Sequence, residues 1–124
     1  MTAVRRSLNL RTCATVIDSQ NLTQYIIARA DLPVGMLAAQ VAHAAGSSSR
    51  RHPPGTYVVV LAAESEGHLA VIAKDLASHK IPHTRIVESD PPLGGQLTAI
   101  GVDLLVDRSL IRKVVSSLPL LGRD

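Results

Sequence analysis

The chain has 124 residues, enough for one domain with a buried core and too few for two. Its 46% hydrophobic and 19% charged residues suit a globular fold, and two tyrosines with no Trp or Phe leave the core to Ala, Val, Leu and Ile. So few aromatics argue against base stacking on aromatic platforms and against aromatic cages, while a net charge of +3 permits nucleic-acid contact without requiring it.

Residues 1–20 carry Arg5 and Arg6 with no apolar stretch behind them, so a secretory signal is not expected. They read as a flexible or loosely docked N-terminal tail ahead of a domain at 21–124. No apolar run approaches the roughly 20 residues of a membrane-spanning helix, and cytoplasm is the expected location. A lone cysteine, Cys13, excludes an internal disulfide and a cysteine-based zinc site.

The run Gln24 to Arg29, β-branched and aromatic, predicts the first strand. Asp31, Pro33 and Gly35 mark a turn, and an alanine-rich helix follows from Gly35 to Ala45, with Gly46 as its stop. On that helix Met36, Gln40, His43 and Ser47 are expected on one face, with Leu37, Val41 and Ala44 on the opposite one. Residues 47–55, SSSRRHPPG, form a loop, since adjacent prolines cannot continue a helix. Thr56 to Leu61 is a continuous apolar run, the pattern of a strand buried on both faces. Ser65 then caps a helix whose Leu69, Ile72, Ala73 and Leu76 recur at helical spacing, fading near His79 and Lys80.

Thr84 to Val87 reads as a more polar edge strand, and Leu97 to Leu105 returns as the fourth. Asp107 caps a last helix with Leu110, Ile111, Val114 and Leu118 on one face. The order β-α-β-α-β-β-α predicts a three-layer α/β/α fold around a mixed four-stranded sheet. Strands joined through helices are expected parallel, and the short third-to-fourth link allows an antiparallel pair.

Two constellations could carry chemistry. The first is Gln40 with His43 on the thin helix. The second is the loop ESDPPLGGQLT, in which Glu88 and Asp90 are two apart, as are Gln96 and Thr98 at the start of the next strand. Ligand crevices in open α/β sheets lie beyond strand ends, where the Asp31–Gly35 turn also sits, so these groups could converge. No GxGxxG, Walker-type or GxSxG motif occurs. His43, His52, His68, His79 and His83 lack ligand-like spacing, so a zinc site is not expected.

The stretch DLPVGMLAAQVAHAAG resembles the type 2 peptidyl-tRNA hydrolases, which carry a strand, an Asp-Leu turn and a helix written roughly GKxAAQxxHA. Asp31-Leu32, Gly35, Ala38-Ala39-Gln40 and His43-Ala44 carry the match, and the likeness extends in pattern from Gln24 to Leu118. The resemblance implies a homodimer that hydrolyses the ester between peptide and tRNA without metal or cofactor. It implies catalytic roles for Gln40 and His43, and puts Glu88, or Asp90 if the loop is shifted, where the family has its aspartate.

The family's threonine aligns with Gln96 by spacing, with Thr98 close by. Two features depart from the pattern: Met36 stands where the family has a lysine, and the glycine-rich loop before the fourth strand is short. Under this reading Arg50, Arg51, Arg112 and Lys113 hold the tRNA backbone by charge. Two other readings stay open, a non-catalytic RNA- or protein-binding module and a hydrolase of another small ester or amide.

Overall fold

The TQYIIAR run forms strand β1 (Thr23–Arg29), and every one of its residues is buried. A strand so placed needs neighbours on both edges and cover on both faces. In the computed structural model, which describes residues 22–49 and 51–123, it has all of these. The elements after it are α1 (Val34–Ser48), β2 (Tyr57–Ala63), α2 (Glu66–Ser78), β3 (His83–Val87), β4 (Leu97–Val102) and α3 (Ser109–Val115), in the order expected from sequence. The expected tail at 1–20 and Arg50 lie outside the described residues.

The sheet order is β2-β1-β4-β3. β1 pairs parallel with β2, and β4 runs antiparallel to both β1 and β3. The helical connection from β2 therefore carries the chain across the sheet to its far edge, not to a neighbouring strand.

Alternation along the strands splits the core in two. Tyr25, Ile27, Leu61, Ile100 and Val102 face α2 and α3, packing on Leu69, Ile72, Ala73, Leu76, Ile111 and Val115. All four of the α2 residues expected inside are buried, and Ser65 caps the helix by accepting a hydrogen bond from the His68 backbone N–H. The opposite face is thinner: Ile26, Ala28 and Ala99 meet Ala44 of α1, with Leu37, Val41, Val60 and Ile86 around them. Gly101 makes this closeness possible, because a Cβ there would overlap the Ala44 carbonyl oxygen and the Ser48 hydroxyl.

Four expectations change. β2 lies at an edge, and Tyr57 and Val58 are 58% and 47% exposed; Val58 is on the face of α1, which lies over β1, β4 and β3, and Tyr57 is on the other face at the start of the strand. An apolar run does not distinguish a central strand from an edge strand with one uncovered end. α1 continues through Gly46 to Ser48, whose hydroxyl donates to the Ala44 carbonyl (2.7 Å) and accepts from the Gln24 amide. β4 ends at Val102, and Leu105 rejoins the sheet as a separate bridge to Thr23. In α3 only Ile111 and Val115 are buried, while Leu110 is exposed. Arg108, not Asp107, stands at the N-cap, and Asp107 accepts from the Ser109 backbone N–H at 2.9 Å from one position further out.

Candidate active site

The site begins with an irregularity. Ile86 pairs with Ala99, but Val87 pairs with Leu97, so Thr98 is an extra residue on β4. A bulge of this kind turns a side chain out of alternation and recurs beside functional sites. Here Leu97 stays on the α2 face and Ala99 on the α1 face. Thr98 turns toward α1 and, fully buried, donates its hydroxyl to Gln40 Oε1 at 2.7 Å.

Gln40 is 3% exposed, on the stripe of α1 that meets the sheet. The expected face division therefore needs correction, since Gln40 lies where the sheet-facing stripe of Leu37, Val41 and Ala44 meets the flank carrying His43 and Ser47. Its Nε2 donates to Glu88 Oε2 at 2.9 Å. A buried carboxamide needs partners on both its oxygen and its nitrogen, and Thr98 and Glu88 supply one each. The second Nε2 hydrogen has no partner among the described residues.

Glu88 ends the β3 side of a short hairpin closed by Glu88 N–H to the Gln96 carbonyl (3.0 Å) and Gly95 N–H to the Glu88 carbonyl (2.7 Å). Its Oε1 accepts from the backbone N–H groups of Ser89 (2.9 Å) and Asp90 (3.3 Å). The Gln40 amide above all, then these two N–H groups, hold the Glu88 carboxyl below the usual carboxylate range, and His43 adds a smaller pull. An open cleft of about 320 Å³ lies over these groups, lined by Gln40, His43, Ser47, Ile86 and Glu88 among others. His43 and Ser47 are exposed at its rim. The arrangement can present one N–H to a carbonyl oxygen while a fixed carboxylate accepts from a water or hydroxyl beside it.

The remaining expected residues fall elsewhere. Asp90 is exposed and reaches Glu88 only through its backbone N–H. Gln96, two positions before Thr98, is parted from it by the bulge: its Oε1 accepts from Arg29 Nη1 at 2.9 Å. Arg51 is exposed on the segment after α1. Arg112 and Lys113 are exposed on α3, in the layer across the sheet from α1, so the expected basic residues do not form one patch beside the cleft.

Sequence reading passed over Arg29. Only 7% exposed, it forks onto Asp31 through Nε (3.0 Å) and Nη2 (2.9 Å), and Nη1 also donates to the Leu97 carbonyl at 3.2 Å. This fork holds the Asp31 carboxyl below its usual range. The signal that could have found it is an arginine closing the run Tyr25-Ile26-Ile27-Ala28, two residues before an aspartate.

Fold and site together define a three-layer α/β domain whose bulged strand, thin helix and hairpin carboxylate converge on one open cleft. The family model for peptidyl-tRNA hydrolase PTH2 matches residues 22–121, and the chain belongs to that family. Among solved structures, a protein of unknown function, Atu0240, from Agrobacterium tumefaciens strain C58 is similar in fold at 16% identity and a TM-score of 0.50. That match covers 81% of this chain and 97% of the other. No curated protein matches the chain.

Proposed function

We propose that the chain hydrolyses the ester joining a peptide to the terminal ribose of tRNA. The observation that supports this reading most directly is the hydrogen-bonded chain Thr98–Gln40–Glu88, of which Gln40 and Glu88 line an open cleft with His43 at its rim. Family membership supplies the substrate class.

In this reading Gln40, aligned by Thr98, donates its second N–H to the ester carbonyl oxygen as charge develops there. Glu88 orients the attacking water. Its lowered proton affinity makes it a better acceptor for a hydrogen bond than a keeper of a proton. Water adds its oxygen to the acyl carbon, the ester C–O bond breaks, and the proton ends on the ribose oxygen. His43 at the rim is a further donor to the carbonyl or ribose. Asp90 supports Glu88 through its N–H, and Gln96 acts only through Arg29.

Arg50 and Arg51, adjacent in sequence, hold the tRNA backbone by charge, whereas Arg112 and Lys113 contact RNA only if it reaches across to the other layer. A homodimer and a cytoplasmic location complete the proposal as properties the family implies. No helix among the described residues is long and apolar enough to cross a membrane.

The test is turnover of peptidyl-tRNA by the wild type beside Glu88→Gln and Gln40→Leu. Each variant should lose roughly a hundredfold or more in kcat, the scale of one preorganised donor or acceptor. Arg51→Gln should weaken tRNA binding and lower its salt slope by about one. Salt-sensitive tRNA binding without turnover would instead favour a binding module, the reading that Met36 in the lysine position supports. Turnover of small N-blocked esters alone would favour a different hydrolase.

A further inference from the structure

We infer that Arg29, on the sheet face opposite the cleft, is a positioning residue that sets the Thr98–Gln40–Glu88 chain. The part of this inference that concerns turnover rests on the hydrolase reading; the part that concerns geometry does not. Arg29 pairs in register with Ala63 and shares its face, the side covered by α2. Its guanidinium therefore cannot touch a substrate in the cleft over α1.

What it does touch is the backbone that feeds the bulge. Arg29 Nη1 takes the Leu97 carbonyl at 3.2 Å and the Gln96 side chain at 2.9 Å. The Leu97 N–H is held from the other side by Glu66 Oε2 at 2.8 Å. Both backbone polar groups of Leu97 are thus bound by charged side chains, from β1 and from α2. Leu97 is the residue immediately before the extra Thr98, so the clamp fixes where the strand leaves alternation.

The same guanidinium grips Asp31 with two further donors, inside the turn that leads into α1. Thr98 and Gln40 meet across 2.7 Å only if the start of β4 and the start of α1 hold a fixed relation. One planar fork ties both to the end of β1. Lysine, a point charge on a flexible stem, keeps the charge and cannot hold these partners together.

The experiment follows the side-chain amides by NMR in protein labelled with ¹⁵N-glutamine, four residues in all: Gln20, Gln24, Gln40 and Gln96. In Arg29→Lys the Gln96 and Gln40 amide signals should both shift, while Gln24, whose partners are Ser48, His52 and Val102, stays. Asp31→Asn, which loosens the fork without removing it, should move Gln40 in the same direction by less. Val115→Ala, a core change in the α2 and α3 layer, separates positioning from general loss of stability and should leave Gln40 in place.

With peptidyl-tRNA, Arg29→Lys should lower kcat about tenfold or more with little change in KM, as expected for misplacement of groups that bind the transition state. A Gln96 shift with Gln40 unmoved in both Arg29→Lys and Asp31→Asn overturns the inference. So does a Gln40 shift of equal size in Val115→Ala. If the wild type has no hydrolase activity, the proposed function fails and the Gln40 signals still decide the role of Arg29. Should Arg29→Lys not fold, Asp31→Asn alone carries the same two outcomes.

Discussion

The two faces of the sheet are built on different rules. Toward α2 and α3 the chain packs Leu69, Ile72, Leu76, Ile27, Ile100 and Ile111 into a thick apolar layer. Toward α1 it uses Ala28, Ala44, Ala99 and Gly101, residues small enough to let helix and strand backbones approach. Bulky branched side chains bury the area that stabilises the fold. Small ones bring Gln40 within reach of Thr98 and Glu88, so that a buried carboxamide is satisfied and still borders the cleft. One face holds the molecule together and the other is shaped around a polar chain.

The largest effect should come from the thick face. Leu76 has no exposed surface, and Leu76→Ala leaves a cavity worth about 3–5 kcal/mol of stability. Urea unfolding should show that loss, while the folded fraction keeps the wild-type Gln40 amide signals. A displaced Gln40 in this variant would break the division of labour between the faces.

On the thin face a much smaller change in volume should reach the site. Gly101→Ala adds one carbon that overlaps the Ala44 carbonyl and the Ser48 hydroxyl, and a helix backbone cannot rotate aside as a side chain can. The expected cost is about 1–3 kcal/mol. Because α1 must lift from β4, Gln40 should separate from Thr98 and peptidyl-tRNA turnover should fall even at temperatures where the protein stays folded. Equal urea midpoints for Gly101→Ala and the wild type would show that the faces tolerate added volume alike.

The contrast also explains what was legible in the sequence. α2 announced itself, since Leu69, Ile72, Ala73 and Leu76 have helical spacing and all four are buried. α1 did not. Ala38, Ala39, Ala42 and Ala45 blur which stripe faces inward, so spacing alone puts Gln40 on the face away from Leu37 and Val41. Thr98 and Gln96, two apart, read as one face until the bulge separated them. A bulge depends on the pairing of two strands and leaves no local spacing to read. Of Arg29 only the local pairing with Asp31 was legible, because its partners Gln96 and Leu97 lie almost seventy residues along the chain.

Thr98→Val tests the polar chain with almost no change in volume. The Gln40 oxygen, 3% exposed with its residue, loses its hydroxyl donor, a deletion worth about 1–2 kcal/mol. The Nε2 donor to Glu88 remains, so the amide is left with one anchor. Turnover should fall more than stability does, because an amide with one anchor can still fold into place but no longer holds its N–H on one line. A variant as active as the wild type would mean that Glu88 alone aligns Gln40.

The smallest effect is one of pH, and its sign follows from the same contacts. The Glu88 carboxyl is held below its ordinary value of 4.5 by the Gln40 amide and by the Ser89 and Asp90 N–H groups, all of which favour the ionised form. The folded state therefore binds this proton less readily than the unfolded chain. That contribution to stability is fully present above pH 4.5 and is lost as pH falls through the folded value. Urea midpoints measured downward from pH 6 should decline below that point, and Glu88→Gln should flatten the decline. Gln40→Leu should flatten it in part, because it removes the largest cause and leaves the two backbone donors. An unchanged slope in Gln40→Leu would mean that the carboxylate answers to its own hairpin alone, and that the thin face does not reach Glu88 in solution.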